Sequence, residues 1–102
     1  MYPSIEKHRA EIEDLCRRYD VGTLDVFGSA TTDAFDEHRS DVDFLVEFRR
    51  GPDGLTLGDY FALKGALEEL LGRLVDLVSP ARLENPFFRA GVEETREHLY
   101  AA

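Results

Sequence analysis

Gly28-Ser29, the pair Asp41 and Asp43, and Asp76 are the residues of this chain whose types and spacing could do chemistry. Side chains of a strand alternate between faces. In SDVDFLVEF, Asp41 and Asp43 therefore project to one side, and Val42, Phe44, Val46 and Phe48 to the other. Two carboxylates so close on one face repel unless a cation sits between them. A hard divalent ion with oxygen ligands meets that need. Upstream, with eleven residues between Ser29 and Asp41, the apolar run LDVF ends at Gly28-Ser29. A glycine lets backbone approach a phosphate closely, and a serine offers it an N–H and a hydroxyl. The stretch thus reads as a phosphate cradle facing a metal-binding pair of carboxylates. Gly28-Ser29 ends one strand, whereas Asp41 and Asp43 open the next. Both can face one site only if the two strands run antiparallel.

Each signal has a bland reading when taken alone. Turns use Gly-Ser constantly, and a solvated strand edge would explain Asp-Val-Asp. Asp76 stands by itself among the apolar residues of LVDLV. A lone carboxylate there is costly unless it is paired or bound to a metal, and a buried arginine would serve as well. The set of three, able to converge from separate strands, is far more specific than its parts.

The elements that must position these residues can be traced in order. Ile5, His8, Ile12, Leu15, Cys16 and Tyr19 recur at helical steps, which predicts an amphipathic helix of about four turns with Pro3 at its start. Cys16 and His8 are expected in or beside the core. Residues 23–27 form the first strand, residues 30–37 a possible short helix, and residues 41–48 the second strand. RRGPDGL is a turn. Its Arg49-Arg50, like Lys64 further on, could reach a phosphate but reads first as a solvated surface group. Thr56 with Asp59 resembles a capping box. Tyr60, Leu63, Leu67, Leu70, Leu71 and Leu74 keep helical spacing, and Gly72 is a plausible stop. Residues 74–78 form the third strand. Asn85-Pro86 then marks a helix start, with Phe88, Val92, Thr95 and Leu99 carrying one face to the C-terminus. Phe87-Phe88 is expected in the core, with one of the two free to face a partner. His38 and His98 are expected at the surface. The expected class is α/β, a small mixed sheet with helices packed on it.

The chain as a whole sets limits. Its 102 residues fit one domain spanning 1–102, and 43% apolar residues can fill one core. A net charge of −9 argues against a long nucleic-acid track, so no direct nucleic-acid partner is expected, although a basic partner is compatible. A single cysteine, Cys16, excludes an internal disulfide. No apolar run reaches membrane-spanning length and no signal-peptide core is visible, so a cytoplasmic location is expected.

The pattern of Gly28-Ser29, Ser40-Asp41-Val42-Asp43 and a later VDLV strand resembles the minimal nucleotidyltransferases of the polymerase-β superfamily, over nearly the whole chain. The resemblance implies a polymerase-β-like palm. It implies ATP as substrate, with Gly28 and Ser29 holding its terminal phosphates and two magnesium ions on Asp41, Asp43 and Asp76. Asp76 would also orient or deprotonate an incoming hydroxyl. These proteins are commonly the antitoxin halves of HEPN/MNT toxin–antitoxin pairs. The implied reaction is therefore AMP transfer to a tyrosine of a HEPN ribonuclease toxin, which would form a hetero-oligomer with this chain. Many relatives carry an arginine soon after Gly-Ser, where this chain has Ala30-Thr31-Thr32. Two other functions compete: an antitoxin that neutralises mainly by covering its partner, and an enzyme modifying a small molecule. The latter usually carries an extra substrate-binding domain, for which this length leaves no room.

Overall fold

The structure, a computed structural model, describes residues 3–28, 41–49 and 57–102. The expected short helix at 30–37, Ser29, His38, Arg50 and the capping threonine Thr56 lie outside the described residues.

The chain opens with α1 (Pro3–Lys7) and α2 (Arg9–Arg18), which bury Ile5, Ile12 and Cys16 as their spacing predicts. The expected single helix is interrupted at His8 (φ −100°, ψ 14°), whose ring lies half-buried beside Glu11. Burial first, then Glu13, pushes the Cys16 thiol up to about 12 against the pull of Arg17, so this cysteine is a core residue. A left-handed Asp20 (φ 58°) turns the chain into β1 (Val21–Phe27), two residues earlier than expected.

β2 (Val42–Phe48) pairs antiparallel with β1, so the orientation inferred from the placement of Gly28 and Asp43 holds. Val42, Phe44, Val46 and Phe48 all face the main core. α3 (Leu57–Leu71) buries Leu63, Leu67 and Leu71 against the same face and stops where Gly72 adopts φ +68°. Its Tyr60 hydroxyl donates to the Leu77 carbonyl oxygen. Its Glu68 carboxylate accepts from the Val75 N–H (3.0 Å) and from Lys64 (3.2 Å), which together hold Glu68 below the usual carboxylate range. Lys64 is thus tied to its own helix. Arg49 is exposed, 3.9 Å from Asp20.

β3 (Val75–Val78) lies parallel to β2. Leu74, expected within this strand, precedes it and is exposed. A 3-10 helix (Pro80–Glu84) leads to α4 (Pro86–Thr95), whose cap is the expected one: the Asn85 side chain accepts from the N–H groups of Phe87 and Phe88. Of the Phe87-Phe88 pair expected in the core, Phe87 is 90% exposed, because α4 turns Phe88 and Val92 inward instead.

The helix does not continue to the C-terminus. At Arg96 the backbone leaves helical geometry (φ −60°, ψ 130°), and β4 (Glu97–Ala101) pairs antiparallel with β1. The cause lies across the sheet. Asp25 of β1 is buried and needs partners, which Arg96 Nε (2.6 Å) and His98 Nδ1 (2.7 Å) supply. Leu99 drops into the main core between exposed His98 and half-buried Tyr100. The strand order is β3-β2-β1-β4. One face carries α1, α2 and α3. The other carries the 3-10 helix and α4 over a smaller cluster of Phe27, Leu45, Val78 and Val92. The mixed sheet with packed helices is the fold class the sequence predicts.

Candidate active site

Two backbone alignments build the site on the sheet face that carries α4. Phe27 is the cross-strand partner of Asp43. Asp43 is in turn the partner of Asp76 on the parallel strand β3. Asp41 stands just before β2, exposed. A strand side chain has neighbours only across the ladder and along its own face. Asp43 therefore has Asp76 beside it on one strand and the start of the glycine turn beside it on the other.

Gly28 follows Phe27 with φ +77°, a left-handed conformation that costs a glycine nothing. A Cβ at this position would lie 2.8 Å from Asp43 Oδ2, closer than side chains tolerate. The glycine is what lets the carboxylate reach the turn. Its N–H donates to Thr95 Oγ1 at 2.7 Å, and that hydroxyl donates to the Gly91 carbonyl oxygen at 3.1 Å. The last turn of α4 therefore pins the backbone of the site. Thr95, expected only as one more residue of an apolar helix face, was not legible as a site residue. Only the fold of α4 onto β1 brings it there.

The electrostatics follow from this crowding. Burial pushes the Asp43 carboxyl up to about 6, with Asp76 and then Asp41 adding to the push and Arg82 opposing it. Asp76 itself is exposed. The expectation that it pays the cost of burial in an apolar strand is corrected: Val75 and Leu77 point into the core, and alternation sends Asp76 to the open face. The expected site residues Gly28, Asp43 and Asp76 are thus neighbours, and the charge of Asp41 reaches Asp43. Ser29 lies outside the described residues.

Among the described residues, no three or more side chains of His, Cys, Asp or Glu are already gathered at chelating distance. The donor set nevertheless fits a hard cation. It consists of carboxylate oxygens, it is open to solvent at Asp41 and Asp76, and it holds Asp43 at a cost that a nearby cation would relieve.

Residues 9–98 match the family model described as "Nucleotidyltransferase domain". A solved structure described as a "putative minimal nucleotidyltransferase" shares 36% identity, covers 95% of each chain and superposes with a TM-score of 0.74. The chain belongs to the minimal nucleotidyltransferases. This nucleotidyltransferase is also 37% identical to a Methanocaldococcus jannaschii protein named "putative protein adenylyltransferase", over 83% of this chain and 91% of that one. A second protein of that organism and name is 31% identical over 88% and 85%. The fold recurs at lower identity in a toxin–antitoxin structure with AMP-PNP (TM-score 0.69, 23% identity, 92% and 73% covered). It recurs again in the complex of a tri-AMPylated Shewanella oneidensis HEPN toxin with its MNT antitoxin (0.64, 21%, 95% and 72%). The polymerase-β-like architecture expected from the resemblance is therefore the one observed. Among the described residues of this nucleotidyltransferase, no helix is long and apolar enough to cross a membrane.

Proposed function

We propose that residues 1–102 act as one domain that transfers AMP from ATP to a tyrosine hydroxyl of a HEPN-domain toxin and so neutralises it. The observation that carries this reading is the in-register facing of Asp43 and Asp76 beside the Cβ-free turn at Gly28. Support comes from the relatives named "putative protein adenylyltransferase" and from the similar fold of an antitoxin in complex with an AMPylated HEPN toxin.

In this reading Asp41, Asp43 and Asp76 hold two magnesium ions, and Gly28-Ser29 receives the terminal phosphates of ATP. Magnesium bound there would neutralise charge on the attacking and leaving oxygens at phosphorus. The side chains have separable tasks. Asp43, half-buried, fixes the position of the cluster. Asp76, exposed on the open face, takes the proton of the tyrosine hydroxyl as its oxygen attacks the α-phosphorus. The new O–P bond forms as the bond to the β-phosphate oxygen breaks, and pyrophosphate leaves. Thr95 and α4 keep the glycine turn in place throughout.

Intact-mass spectrometry tests the reading. Incubated with ATP, magnesium and its cognate HEPN partner, the protein should add ~329 Da per transfer to that partner, the mass of AMP esterified to a hydroxyl by two-metal chemistry. If the partner's ribonuclease activity is blocked while its mass stays unchanged, neutralisation by covering replaces catalysis.

A further inference from the structure

Arg82 occupies the third position of the 3-10 helix that leaves β3 directly after the Asp76 strand. Its guanidinium carbon stands 4.4 Å from the centroid of the Phe88 ring. Phe88 meets Phe27 edge to face, with centroids 5.8 Å apart and an interplanar angle of 87°. Phe27 is the cross-strand partner of Asp43 and the residue before Gly28. An unbroken aromatic ladder thus links the arginine to the site. Leu83 and Val92 pack around it, and the Asn85 cap holds the start of α4.

We infer that Arg82 is the cationic contact for the phosphates of the nucleotide, held in place by stacking on Phe88. The inference rests on the proposed transfer from ATP. Its physical basis is a charge problem. A triphosphate brings several negative charges to a face already carrying Asp41, Asp43 and Asp76, so cations must offset both. Neighbouring arginines are committed elsewhere: Arg96 to Asp25 at 2.6 Å and Arg89 to Glu93 at 3.3 Å. Among the described residues, no carboxylate pairs with the Arg82 guanidinium, yet its positive charge is felt at Asp43. Stacking leaves the planar fork of N–H donors available, a geometry that suits bidentate phosphate binding. A preplaced side chain also loses less freedom on binding than a mobile one. The position lies in a different segment from the residues that follow Gly28 in sequence, where Ala30-Thr31-Thr32 bring no positive charge.

Titration calorimetry with MgATP and, separately, with adenosine tests the assignment on the intact protein. Arg82→Gln should weaken MgATP binding about tenfold, the loss expected for a charge-assisted contact, and leave adenosine binding unchanged. Arg82→Lys should recover part of the loss, and Phe88→Leu should fall between wild type and Arg82→Gln. Melting temperatures of the two Arg82 variants should not move, because that side chain is exposed. Equal MgATP affinity in wild type and Arg82→Gln overturns the inference and leaves the proposed function standing. Equal losses for adenosine and MgATP overturn it too, since the effect would then be structural. A wild type that binds no MgATP brings down both readings.

Discussion

At Asp43 burial, then Asp76, then Asp41 lift the carboxyl to about 6, and this has a consequence for stability. A carboxyl whose folded pKa is raised binds its proton more tightly when folded than when unfolded. Its contribution is favourable below the unfolded value, near 4, and is lost as pH rises through about 6. In metal-free buffer, Asp43→Asn should therefore gain melting temperature over wild type at pH 7, and the gain should vanish near pH 4. A variant that melts lower at both pH values would mean that Asp43 is a structural anchor. The neighbouring glycine makes the opposite prediction. Gly28→Ala would place a Cβ 2.8 Å from Asp43 Oδ2 on backbone with φ +77°. It should cost about 1–2 kcal/mol in chemical denaturation and abolish AMP transfer, because both the turn and the carboxylate must shift.

At the scale of elements, the junction of α4 and β4 organises one flank of the site. Asp25, 3% exposed, accepts from Arg96 and His98, and one residue earlier in the chain Thr95 holds the Gly28 N–H. The carboxylate therefore anchors β4 to β1 and fixes where the helix ends. Asp25→Ala leaves its partners able to reach water, since both are substantially exposed. The expected loss is about 1–3 kcal/mol in urea unfolding. Faster hydrogen exchange at the Gly28 amide should accompany it if the anchor positions the turn. Unchanged exchange there would confine Asp25 to holding the sheet edge.

At the scale of the whole molecule, the helical layer and the open face divide the labour. Core burial concentrates on the α1-α2-α3 side, which leaves the carboxylate face free to carry charge that the fold does not need. In a chain of net charge −9, metal binding to that face should stabilise the folded state by mass action. Magnesium should raise the melting temperature of wild type, EDTA should reverse the gain, and Asp43→Asn should abolish it. No shift at millimolar magnesium would argue that the cation arrives only with the nucleotide. Asp76→Asn separates the tasks further. Exposed on the open face, it should fold and still co-purify with a HEPN partner while adding no AMP mass to it.

The sequence by itself determined the parts that depend on local pattern. Period-two alternation around Asp43 set the two faces of β2, helical spacing set the buried stripes of α2 and α3, and Asn85-Pro86 set the start of α4. The antiparallel run of β1 and β2 followed from requiring Gly28 and Asp43 to share a site. What only the tertiary structure decided depends on partners distant in sequence. Leu99 fits a helical stripe as well as a strand, and the choice fell to β4 because β1 had an unpaired edge and a buried Asp25 to satisfy. Asp76 looked buried in LVDLV, yet the parallel pairing of β3 turned it to the open face beside Asp43. Thr95 and Arg82 carry no local signature. Their places were set when α4 and the 3-10 helix packed onto Phe27, because packing against a distant strand is not encoded in the spacing of neighbours along the chain.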